Sequence, residues 1–169
     1  MTSRETTGQL FMAGILGTSV TPDLASFIKE YKPGGVILFS RNLESVEQMV
    51  ELTNDLQACS PHSPLLISID QEGGRVSRLP KGFTIFPPCD LLGRCNSTEL
   101  AYAAAATIAK ELRAVGVNMN MAPVLDVNSN PENPVIGDRA FGTTPDVVCE
   151  LGLATAAGLQ DNKVVACGK

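Results

Sequence analysis

Short apolar runs alternate with amphipathic stretches of helical period from one end of the chain to the other, the order that parallel α/β folds require. A first strand is expected over Leu10 to Leu16. Thr21-Pro22-Asp23 then offers an N-cap, a first-turn proline and a first-turn acid, and Leu24, Phe27, Ile28 and Tyr31 follow at helical spacing. Pro33-Gly34-Gly35 ends that helix and opens Val36-Ile37-Leu38-Phe39, a continuous apolar run of the kind found in strands buried on both faces. Ser45 with Gln48 forms a capping box, and Val46, Met49, Val50, Thr53 and Leu56 make one apolar stripe that runs to about Cys59.

Leu65 to Ile69 reads as a third strand, followed by an irregular stretch rich in Gly and Pro as far as about Cys95. A loop that long inside a compact domain is usually functional. Asn96 and Glu99 are expected to cap a helix carrying Leu100, Ala104, Ile108, Leu112 and Val115, which Gly116 ends. A fourth strand runs from Val117 to roughly Val124. After a second long loop, Thr144-Pro145-Asp146 repeats the earlier capping arrangement, Val148, Leu151, Thr155 and Leu159 give the buried side of a helix, and Val164 to Cys167 is a fifth strand. Five strands and four helices in this order suit either a doubly wound sheet or the opening of a (β/α)8 TIM barrel. A whole barrel takes about 250 residues. The five strands use 169, so on the barrel reading the barrel is incomplete and residues 1–169 are expected to be the N-terminal part of a single (β/α)8 barrel domain.

Composition narrows the function. Hydrophobic residues make up 44% of the chain, enough for a real core without disulfide or metal staples. Thirteen Lys and Arg stand against eighteen Asp and Glu, with no basic cluster, so no nucleic-acid partner is expected. The apolar runs fall well short of the roughly 20 residues that span a bilayer, and no signal-peptide core follows Met1, so no membrane association is expected and a cytoplasmic address is the default. Cys59, Cys89, Cys95, Cys149 and Cys167 are odd in number and never spaced as a Cys-x-x-Cys pair, which argues for reduced thiols and against a metal site. The one histidine, His62, is expected in a surface turn, so no histidine-based triad can be assembled. No cofactor is indicated.

In parallel α/β folds ligands bind at the carboxyl ends of the strands. The polar residues following each apolar run are Ser40-Arg41-Asn42, Asp70-Gln71-Glu72-Gly73-Gly74-Arg75, Asp126 and Gly168-Lys169, all directed to one rim. Asp70, directly after Ile69, needs partners such as Arg75 or Arg78. It either braces its loop through one of these arginines or accepts bonds from two vicinal hydroxyls of a polyol such as a sugar. Adjacent positions leaving a strand usually diverge, which argues against Asp70 and Glu72 as a glycosidase acid/nucleophile pair. Gly73-Gly74 lacks the spacing of a nucleotide-binding loop and reads as a tight turn. Asp138-Arg139 is an acid and a base in a long loop, either a surface pair or part of the site. Glu72, Arg75 and Asp126 read as loop braces.

Four stretches carry a family resemblance. Gly34 to Phe39, Ile69-Asp70-Gln71-Glu72-Gly73-Gly74-Arg75-Val76, Asn118 to Val127, and Gly137-Asp138-Arg139-Ala140-Phe141-Gly142 resemble, in order, the N-terminal barrel of family 3 glycoside hydrolases, most closely the bacterial β-N-acetylhexosaminidase branch. The resemblance implies a (β/α)8 barrel that removes terminal, non-reducing β-linked N-acetylglucosamine, chiefly from muropeptides in cytoplasmic peptidoglycan recycling. The implied partner is a small carbohydrate, an N-acetylglucosamine-containing muropeptide or a chitooligosaccharide. Carried over by position, Asp70, Arg78, Arg139 and Lys169 match the family's sugar-binding residues.

In the family that lysine opens a Lys-His-Phe-Pro-Gly-His-Gly-Asp motif whose loop holds an acid/base His-Asp dyad, with the aspartate nucleophile later still. None of these follows Lys169 here, so the 169-residue chain alone is expected to bind sugar without turning it over. With no Trp and few other aromatics, a small hydrogen-bonded pocket for one sugar fits better than a long stacking cleft. A sheet edge at the fifth strand is expected to expose apolar surface or to pair with a second copy. The rival readings are a non-catalytic carbohydrate-binding half-barrel and another family 3 hydrolase of β-glucosidase type.

Overall fold

The computed structural model describes residues 3–61 and 63–169; His62, read above as a turn residue, lies outside the described residues. Its frame is a parallel sheet of five strands, β1 (Met12–Gly14), β2 (Gly35–Leu38), β3 (Leu66–Ile69), β4 (Met119–Asn120) and β5 (Val165–Ala166), in the spatial order β1-β2-β3-β4-β5. Each new strand adds beside the one before it. A doubly wound sheet reverses direction at a switch point, so the unbroken order selects the (β/α)8 barrel wound through its first five strands. Register is continuous across the middle of the sheet: Leu38 pairs with Ile69, and Ile69 with Asn120.

Six α-helices accompany the strands among the described residues: α1 (Ser3–Gly8), α2 (Pro22–Tyr31), α3 (Val46–Ala58), α4 (Cys89–Cys95), α5 (Thr98–Ala114) and α6 (Pro145–Asp161). Four were expected; α1 and the short α4 are additions, the latter inside the stretch read as irregular. Thr21 and Ser45 cap as expected, accepting from the Leu24 and Gln48 N–H groups, but the Gln48 side chain accepts from the Glu44 N–H and so does not close the expected box at Ser45. At α5 the cap moves by one residue. Ser97 accepts from the Leu100 N–H, whereas Asn96 ends α4 in the left-handed conformation at φ 46°. Thr144 precedes the proline of α6 but makes no side-chain cap.

The strands are shorter than their apolar runs. Leu10 and Leu16 are exposed and lie outside β1. In the fourth run the regular strand is limited to Met119–Asn120, although single backbone bonds to the neighbouring strands continue as far as Leu125, and Pro123 accepts one but has no N–H to give. Val36, Leu38, Ile67 and Ile69 share the face covered by helices and join Ile28, Met49, Leu52, Leu56, Ile108, Leu112 and Leu159 in one core. On the opposite face Gly35 and Ser68 are buried and Ile37 is half-buried, so β2 is largely enclosed on both faces as its composition suggested, whereas Leu66 at the start of β3 is 39% exposed. The outer strands carry exposed apolar side chains, Leu10 and Phe11 beside β1 and Val165 on β5. No helix among the described residues is long and apolar enough to cross a membrane.

Candidate functional site

The loop after β3 is folded by its own side chains. Gly73 and Val76 exchange backbone hydrogen bonds across a tight turn in which Gly73 adopts φ 100° and a Cβ would meet the Pro87 carbonyl oxygen at 2.5 Å, so glycine is required on both counts. Buried Gln71 accepts from the Arg78 N–H at 2.9 Å and donates to Ser77 Oγ at 2.9 Å, which closes the loop on itself. Asn120 of β4 pairs twice with the Gln71 backbone, accepting from its N–H at 3.0 Å and donating to its carbonyl at 2.8 Å. Asp70 and Glu72 are thereby fixed on the sheet's carboxyl rim.

The loop after β4 is held from the same side. Arg75 donates to Asp138 Oδ1 at 2.8 Å and to the carbonyls of Pro134, Val135 and Ile136 at 3.3, 2.6 and 3.1 Å. Arg75 is therefore not the partner of Asp70, and Asp138 and Arg139 are not a surface pair; Arg75's fork and Asp138 stitch two loops together. The stitched segment ends in a 3₁₀ turn, Gly137–Arg139, which carries Arg139 inward.

All four residues expected to bind sugar converge. Lys169 Nζ lies 2.6 Å from Asp70 Oδ1, and an Arg78 Nη2 lies 4.0 Å from Asp70 Oδ2. Arg139 joins through a fifth residue. Its Nε and Nη2 donate to the two oxygens of Glu72 at 2.8 and 2.9 Å, and Lys169 Nζ also reaches Glu72 Oε1 at 2.7 Å. Asp70 and Glu72 therefore do not diverge: both carboxylates meet one ammonium. The Glu72 side chain is 1% exposed, against 18% for Asp70, 19% for Arg139 and 30% for Arg78 and Lys169.

Burial pushes the Glu72 carboxyl up, but the hydrogen bonds and charges of Arg139 and Lys169 outweigh it and hold the group below its ordinary value. The Glu72 carboxylate in turn raises Arg139. Cys89 Sγ sits 3.9 Å from the Glu72 carbonyl, and burial followed by the Glu72 charge pushes its thiol up to about 12, so it is a packed apolar group and not a nucleophile. All five cysteines are free.

Other rim residues are structural. Asn42 is fully buried and donates to the Ile15 and Gly17 carbonyls, tying the loop after β1 to that after β2, while Arg41 stacks on the Phe39 ring at 4.5 Å. Asp126 is exposed. Glu72 is the site residue that sequence reading did not place correctly: it does brace, but what it braces is the site's cations. The available signal was its spacing from Asp70, since residues two apart in extended backbone share a face.

A sheet wound in strand order, with five charged side chains from the loops after β3, β4 and β5 clustered at its carboxyl rim, defines a (β/α)-barrel domain with a charged cluster where such barrels carry their sites. The chain belongs to glycosyl hydrolase family 3: the model of the family's N-terminal domain matches residues 2–169. It is 45% identical to a beta-hexosaminidase of Nitrosomonas eutropha over 165 residues, which is 94% of this chain and 47% of that protein. A beta-hexosaminidase A of Pseudoalteromonas piscicida is 41% identical over 90% of this chain and 27% of its own length.

Among solved structures, a family 3 beta-N-acetylglucosaminidase from Paenibacillus superposes with a TM-score of 0.97 at 46% identity, covering 100% of this chain and 33% of that one. NagZ from Neisseria gonorrhoeae, solved in complex with N-trifluoroacetyl-D-glucosamine, superposes at 0.86 with 35% identity, covering 94% of this chain and 48% of that one. The chain thus spans about half, or less, of the length of these relatives.

Proposed function

We propose that this segment builds the terminal-sugar subsite of a β-N-acetylhexosaminidase, and that the whole protein hydrolyses terminal, non-reducing β-linked N-acetylglucosamine. The observation that carries this reading is the convergence of Asp70, Arg78, Arg139 and Lys169 on one rim, in a chain related to a protein solved with a glucosamine derivative. A carboxylate offers only acceptors and the three cations only donors, so together they complement hydroxyls, each of which does both. Asp70 accepts from ring hydroxyls, and Arg78, Arg139 and Lys169 donate to hydroxyl and acetamido oxygens. With no Trp in the chain for a long stacking cleft, the rim suits a single hydrogen-bonded sugar. Muropeptides of cytoplasmic peptidoglycan recycling, or chitooligosaccharides, are the substrates this chemistry fits.

Binding is not turnover. A retaining glycosidase needs both an acid/base group and a nucleophile beside the scissile bond. Both oxygens of buried Glu72 are taken by Arg139 and Lys169, and Asp70 is paired with Lys169 and faced by Arg78, so neither carboxylate is free to serve in those roles. The 169-residue chain alone therefore binds the sugar without cleaving it. Isothermal titration with N-acetylglucosamine and with glucose tests the reading: the expected result is saturable binding of the first, at least tenfold tighter than glucose, with no release of nitrophenol from a nitrophenyl β-N-acetylglucosaminide. Equal binding of glucose would favour a β-glucosidase-type site instead.

A further inference from the structure

We propose that Glu72 is a positioning residue of this site, holding Arg139 and Lys169 in the orientation that the sugar meets without touching the sugar itself. The proposal rests on the reading of the rim as a sugar subsite. With its side chain 1% exposed, Glu72 is sealed from a ligand at the rim, yet both of its oxygens are engaged by groups that do reach it. Arg139 is gripped through Nε and Nη2, a two-point contact that fixes the plane of the guanidinium as well as its place. Its third nitrogen, Nη1, donates to the Val135 carbonyl at 3.1 Å, which Arg75 also holds. Lys169 is shared between Glu72 and Asp70 at 2.7 and 2.6 Å.

Charge shows why a second carboxylate is needed. Three cations, Arg78, Arg139 and Lys169, surround two anions. Without the Glu72 charge, Asp70 would be the one carboxylate among the described residues left in direct contact with these cations, and Arg139 already feels the charges of Asp126 and Asp70. Arg139 and Lys169 would then close on the Asp70 oxygens, the acceptors that sugar hydroxyls require. Glu72 thus keeps Asp70 available and the donors spread apart. The Glu72 backbone is anchored independently of the cations: its N–H donates to the Val76 carbonyl at 3.0 Å, next to the glycine turn.

The test compares the native chain with Glu72→Gln and Glu72→Asp, reading N-acetylglucosamine affinity by titration and the Arg139 Nε–H resonance by nitrogen-15 NMR, assigned with Arg139→Lys. Affinities are taken on folded protein, verified by circular dichroism. The expected result is a protected Arg139 Nε–H signal in the native chain, lost in Glu72→Gln, with affinity at least tenfold weaker there and intermediate in Glu72→Asp, which keeps the charge. If Glu72→Gln does not fold, Glu72→Asp carries the comparison, with a loss of threefold or more expected. A folded variant that binds within twofold of native overturns the proposal. If the native chain binds no N-acetylglucosamine while Glu72→Gln still frees the Arg139 signal, the sugar reading fails and the hold of Glu72 on the cations stands.

Discussion

Glu72 ties the electrostatics of single residues to the stability of the molecule. Its carboxyl is held below its ordinary value of 4.5. A group whose folded value is depressed contributes stability that is complete above the unfolded value and is lost as pH falls through the folded one. The melting temperature of the native chain should therefore fall as pH drops below about 4.5, and the Glu72→Gln chain, already lacking the charge, should melt lower at neutral pH and converge on the native value in acid. The exposed Glu47 and Glu99 are also lowered but are common to both chains, so the difference between the curves isolates Glu72. Parallel curves would mean that the ion pairs add nothing to folding. At this scale the rim carboxylate and its cations were legible, because a strand ending in Asp70 announces where the loop begins. Which of the two arginines offered to Asp70 would meet it was not: Arg75 lies nearer in sequence yet spans to Asp138, while Arg78 comes within 4.0 Å of Asp70. Only the folded course of both long loops decides that.

Among the elements, helices with side-chain caps and one apolar stripe were readable, since their stop and start signals are local. The helix α4 was not. Its seven residues contain Gly93, follow two prolines and have no side-chain cap, so packing and not propensity forms it. Cys89 is buried with Phe141, Val148 and Leu151, and a Cβ at Gly93 would land on the Phe141 carbonyl, which leaves only glycine at that crossing. The α5–α6 contact uses the same device. A Cβ at Gly158 would lie 2.5 Å from the Tyr102 carbonyl oxygen and 2.8 Å from Ala105 Cβ. Replacing a helical glycine by alanine normally gains up to about 1 kcal/mol, but backbone atoms cannot swing aside, and overpacking costs about 1–3 kcal/mol. The clash wins. Gly158→Ala should destabilise the chain by about 1–2 kcal/mol in urea unfolding, whereas a stabilised variant would show that the two helices are free to separate.

For the whole molecule, alternation of strands and helices left two architectures open, and the spatial order β1-β2-β3-β4-β5 decides between them. That order is invisible in the chain itself, because the same βα repeat serves a sheet that reverses and one that keeps winding. Its functional consequence is that the loops after β3, β4 and β5 leave from neighbouring strands on one rim, so that Asp70, Arg139 and Lys169, far apart in sequence, converge. The most direct test of this account is where N-acetylglucosamine sits, read by chemical-shift mapping of the chain titrated with the sugar. The account predicts that the largest shifts fall on Asp70, Arg78, Arg139 and Lys169 and disappear in Asp70→Asn. Saturable shifts elsewhere on the surface, or shifts that survive Asp70→Asn unchanged, would contradict it.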